Sequence, residues 1–77
     1  MILKDMMREH MNVHTLTSDA RIADAAAMMR EENIGSVVIV DNQDVVTGII
    51  TDRDIALSLA LGAATPDSFV VEVMTKD

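Results

Sequence analysis

"NIGSVVIVDNQDVVTGIITDRDIA", residues 33–56, is the stretch whose reading decides the fold. Its first half, "SVVIVD" (36–41), is apolar without alternation, which predicts a strand buried on both faces. "NQD" (42–44) turns the chain, and "VVTGIIT" (45–51) reads as the return strand of a hairpin. A helix then runs from about Asp52 to Leu61, with Ile55 and Leu59 inward, Ala56 beside them and Gly62 as its stop.

Upstream, Ile22, Ala25, Ala26 and Met29 fall at i, i+3, i+4 and i+7, the spacing of an amphipathic helix over about Arg21 to Glu32. Asp24, Arg30, Glu31 and Glu32 then face water, Ser18 or Asp19 caps the start, and Asn33 and Gly35 tolerate a left-handed end. "NVHTL" (12–16) suggests a brief strand, and residues 1–11 hold a short helical possibility with Ile2, Leu3, Met6 and Met7 apolar. "AATPDS" (63–68) reads as a loop pinned by Pro66. The order is βαββα, an α+β unit in which two helices cover one face of a small three-stranded sheet. Because the strand at 36–41 reads as doubly buried, the other face is expected to pair with a second copy. Glu72-Val73-Met74 echoes Asp5-Met6-Met7 at an offset of 67. The echo suggests a single domain over 1–77, with its core unit at about 3–62 and a linker plus the start of a further repeat at 63–77.

The composition narrows the function classes. The chain has 77 residues and is 49% hydrophobic, so apolar surface is expected to remain for a partner. A net charge of −7, with Lys4 and Lys76 the only lysines, makes DNA and anionic membranes poor partners. Phe69 is the sole aromatic, so stacking of bases on rings is not available. No cysteine is present, and no apolar run reaches the roughly 18 residues of a spanning helix, which fits a cytoplasmic protein. His10 and His14 are four apart, but Asn12, Val13 and Thr15 oppose a helix through both, and no third ligand is evident; no metal site is expected. The seven methionines read as adaptable core or interface filler, and Asp41 and Asp44 as a solvated turn. With no nucleophile–base pair in view, no enzymatic activity and no required cofactor are expected.

The turn Thr51-Asp52-Arg53-Asp54 carries the chemistry. Thr51 and Asp54 approximate a capping box, and two carboxylates suit the positive end of a helix dipole. Arg53 is unexplained by capping, because a cation in the first turn opposes that dipole. An anion at the helix N-terminus would give it a role as a forked donor beside free backbone N–H groups. Thr51 then offers a hydroxyl to a phosphate or sugar oxygen, and Asp54 a carboxylate to a ribose diol. Gly48 would permit close backbone approach.

The run from "VHTL" (13–16) through "DAAAMMREENIGSVVIVDNQDVVTGIITDRDIA" (24–56) resembles a CBS domain, the cystathionine-β-synthase type regulatory repeat. "NIGSVVIVD", the Gly48-x-x-Thr51-x-x-Asp54 signature and the βαββα order carry the likeness. The resemblance implies a regulatory module that binds AMP, ADP, ATP or S-adenosylmethionine. It places ribose on Asp54, ribose or phosphate oxygens on Thr51, and adenine among Val13, Thr15, Ala20, Ile34, Gly35 and Ser36 with Ile50 as a wall. Arg53 keeps its phosphate role from the dipole argument alone. Arg21 stands where the family often has a Ser or Thr cap. Such repeats usually come in pairs with ligand clefts between them, so a chain with one unit is expected to form a homodimer. The alternative is a module with an empty cleft that serves only for dimerisation or interaction.

Overall fold

A computed structural model describes residues 14–76. The expected helix in residues 1–11, the start of the "NVHTL" strand and the candidate ligand residue Val13 lie outside the described residues. The elements run β1 (Thr15–Thr17), α1 (Ile22–Glu32), β2 (Ser36–Val40), β3 (Val46–Thr51), α2 (Asp52–Ala60), a short 3₁₀ turn (Val70–Glu72) and β4 (Thr75–Lys76). The α+β order is as read from the sequence, but the sheet has four strands, in the order β1-β2-β3-β4. No described helix is long and apolar enough to cross a membrane.

β1 runs parallel to β2, with Thr15 opposite Val38 and Thr17 opposite Val40. The connection is α1, as a parallel pair requires a crossover. β2 and β3 form the antiparallel hairpin, pairing Ser36 with Thr51 and Ile39 with Gly48, and the register shifts between Ile39 and Val40. In the turn, the Asp41 carboxylate accepts from the N–H groups of Gln43 and Val45 at 2.8 and 3.0 Å. Val37, Val38, Ile39 and Val40 are all buried, so β2 is covered on both faces. Val37, Ile39 and Ile50 pack with Ile22, Ala25, Met29 and Ile55 from the helices to form the core.

Both helices turn slightly differently from the expected faces. In α1, Ile22, Ala25 and Met29 are buried but Ala26 is exposed. In α2, Ile55 and Ser58 point inward, whereas Leu59 and Ala56 are exposed. Ser58 can be buried because its hydroxyl donates to the Ile55 carbonyl at 3.0 Å, while its own carbonyl accepts from Ala63 at 2.9 Å. Gly62 ends α2 at φ 72°, as expected. At the end of α1 only Asn33 is left-handed, at φ 55°; Gly35 is not.

Residue 21, not 18 or 19, caps α1, and it does so without a side-chain acceptor. The Ile22 and Ala23 N–H groups donate instead to the carbonyls of Ser68 and Pro66, at 2.9 and 3.0 Å. Distant loop carbonyls thus replace a local hydroxyl cap. Arg21 clamps that loop: its guanidinium donates to the Asp67 carbonyl at 2.6 Å and lies 4.7 Å from the Phe69 ring centroid. It is a structural residue.

The tail then turns through Val70, which is fully buried, and lays β4 antiparallel against β3. Within the segment read as a linker and the start of a further repeat, Thr75 and Lys76 thus add a fourth strand to this unit's own sheet. Gly48 explains how. A Cβ on Gly48 would sit 2.6 Å from the Thr75 carbonyl oxygen and 2.8 Å from the Met74 sulfur. The close approach expected at this glycine is made by the chain's own fourth strand.

Two measurements test this account. Gly48→Ala is expected to destabilise the fold by about 1–3 kcal/mol, because one contact is with backbone that cannot rotate away; an unchanged urea midpoint would contradict it. Arg21→Ala should lower stability by roughly 1 kcal/mol through loss of the ring contact and the loop bond. Its hydrogen-exchange signature should be faster exchange at Ile22 and Ala23, and equal rates in both proteins would refute the clamp.

Candidate nucleotide site

Thr51 is both the last residue of β3 and the N-cap of α2, with an extended backbone at φ −112° and ψ 163°. Its hydroxyl accepts from the Asp54 N–H at 3.1 Å, and its own N–H donates to Asp54 Oδ2 at 2.9 Å. The capping box read from the sequence is therefore complete. It also uses up part of what a ligand would need. The Asp52 N–H donates to the Gly35 carbonyl at 2.9 Å, so two first-turn amides are taken within the chain. Arg53 is exposed and Asp54 is half-buried, with Oδ1 outside the capping bonds.

The hairpin register gathers most of the candidate residues. Ser36 lies directly opposite Thr51, and Gly35 lies beside Asp52. Thr15 sits opposite Val38, and side chains alternate along a strand, so Thr15, Ser36 and Thr51 project from the same face of the sheet. That face is opposite the one carrying Val37, Ile39 and Ile50. Ile34 is half-buried against the core at the approach to β2.

Two candidates are placed differently. Ile50 is fully buried among core residues, so its side chain points toward the helices and away from Thr51's face. Ala20 follows the C-terminal end of β1 and joins the core, its carbonyl accepting from Val70 at 2.9 Å. It belongs at the far end of β2 from Ser36, about 13 Å away along the strand.

That far end holds a concavity of about 410 Å³ lined by Thr17, Ser18, Asp19, Asp41 and Asn42. Its polar groups are largely committed: the Thr17 hydroxyl donates to Asp19, the Ser18 hydroxyl to the Val40 carbonyl, and Asp41 holds the hairpin turn. The Thr51–Asp54 turn is the better candidate, because Asp54 Oδ1, the exposed Arg53 and the exposed Ser36 lie outside these commitments. One neighbour escaped the sequence reading. The Asp52 carboxylate lies over Gly35, its Oδ2 3.5 Å from where a Cβ on that glycine would sit. Nothing in the local sequence announces this, since the hairpin register brings residues 35 and 52 together.

Comparisons with known proteins identify the fold. The CBS domain model matches residues 3–61. An uncharacterised 17.7 kDa protein of Acidianus ambivalens is 45% identical over 65 residues, covering 84% of this chain and 38% of that protein. The crystal structure of the CBS-domain containing protein ATU1752 from Agrobacterium tumefaciens matches with a TM-score of 0.81 at 37% identity, over 94% of this chain and 55% of that one. A CBS domain protein from Pyrobaculum aerophilum, complexed with AMP, shares the fold at a TM-score of 0.76 and 17% identity, over 83% of this chain and 50% of that one. The chain thus spans about half or less of the length of these three proteins. With the family match extending over most of its length and the fold superimposing on theirs, this chain belongs to the CBS domain family.

Proposed function

We propose that this chain is a regulatory module, not a catalyst, which binds an adenosine compound at the Thr51–Asp54 turn and passes that binding to an attached or associated effector. The observation that carries the reading is the register that puts Ser36 opposite Thr51, with Thr15 on the same face and Asp54 held beside them. In this arrangement Asp54 Oδ1 accepts from the ribose diol, Ser36 and Thr15 supply polar contacts, and Arg53 meets phosphate. The AMP bound to the Pyrobaculum aerophilum protein supports the ligand class, with AMP, ADP, ATP and S-adenosylmethionine as the candidates. The proposal includes a cytoplasmic setting and a homodimer, in which a second copy closes the cleft. Ligand binding would act by favouring one packing of the paired units over another, to the extent of its differential affinity.

A second reading has its own support. The capping box alone accounts for the bonds of Thr51 and Asp54, and Leu57, Leu59, Leu61, Phe69 and Val71 are exposed apolar side chains. An interaction module with an empty cleft would show the same features. Calorimetric titration with the four candidate ligands separates the two. Binding is expected to weaken by about tenfold or more in Asp54→Ala, the scale of a lost charged hydrogen bond. Sedimentation should show the same dimer for both proteins. Absence of heat with all four ligands at millimolar concentration would leave the interaction module as the function.

A further inference from the structure

The geometry points to Asp52 as a specificity-determining residue that biases the turn toward adenosine compounds carrying the fewest phosphates; this rests on the function proposed above. Asp52 is the first residue of α2 and is exposed. Its N–H is tied to the Gly35 carbonyl at 2.9 Å, which fixes its backbone against the start of β2. Its carboxylate lies over Gly35, with Oδ2, Cγ and Oδ1 at 3.5, 3.7 and 3.9 Å from the position of a Cβ there. A negative charge is thereby held between β2 and the first turn of α2, beside the residues that would hold ribose.

Phosphates extending from a ribose on Asp54 toward the helix end meet this carboxylate within the same turn. The helix end has little to set against it. The Asp52 and Asp54 amides are already bonded inside the chain, and the exposed Arg53 is one positive charge against two carboxylates. The surrounding field is also unfavourable, because the whole chain carries a net charge of −7. Two unit charges about 4 Å apart in water interact strongly enough to change affinity by about fivefold. The penalty grows with each phosphate that comes near, whereas adenosine escapes it.

A carboxylate at the first helical position also has an ordinary role, since it favours the positive end of the helix dipole. The two roles differ in what they predict. The 77-residue chain and its Asp52→Asn variant are titrated with adenosine, AMP and ATP by calorimetry, at low salt and at about 1 M sodium chloride. The variant should bind ATP about fivefold more tightly and AMP by a smaller factor, with adenosine unchanged. The gain should disappear at high salt, where the screening length is about 3 Å. An equal change for all three ligands, or none, would overturn the inference and leave Asp52 as a helix-start residue while the site stands. If neither protein binds any of the three, the site itself falls and this inference with it.

Discussion

The N–H of Asp52 bonded to the carbonyl of Gly35 joins the end of the hairpin to its beginning. Around that bond, Ser36 faces Thr51 across the ladder, and α2 must start at the edge of β2. The rest of the site depends on this constraint. Were the hairpin to slip by one residue, every side chain of β3 would change face. Thr51 would then turn toward the helices and Ile50 toward the opposite face of the sheet. The doubly buried β2 pins the register, since Val37 and Ile39 must meet the helices for the core to close.

The same electrostatic device begins three elements. The N–H of Arg21 donates to Asp24, that of Thr51 to Asp54, and that of Phe69 to Glu72, at 2.9, 2.9 and 2.8 Å. Each acid lies three residues beyond the N–H it accepts from, the reciprocal half of a capping box. Only at Thr51 does a hydroxyl complete the other half. An acid at this spacing is thus a general device of the chain for starting a turn. It becomes a candidate binding group at Asp54 because its partner Thr51 lies opposite Ser36 across the hairpin, with Gly35 beside Asp52. At Asp24, by contrast, the helix end is already filled by the carbonyls of Ser68 and Pro66.

Residues 63–76 show how a small domain finds additional burial. The loop caps α1 through the carbonyls of Pro66 and Ser68, Val70 enters the core, and Met74 crosses Gly48 to let β4 pair with β3. This closes one edge of the sheet and shields apolar surface that a chain of this length could not otherwise cover. Arg21 serves this closure, which is why a cation stands where a hydroxyl cap was expected.

The alternation-free run at 36–41, the turn at 42–44 and the Thr51–Asp54 box were legible in the sequence because each depends on neighbours within a few residues. Local hydrogen bonds and periodic burial leave their mark on composition and spacing. The family likeness was legible for the same reason, since its signature lies within one hairpin and one helix start. What partners Gly48, which side of α2 is buried, where Ala20 and Ile50 point, and that Asp52 lies over Gly35 were decided only by the tertiary structure. Those are contacts between segments far apart along the chain, and a residue's own neighbours carry no record of a partner that folding brings in from elsewhere.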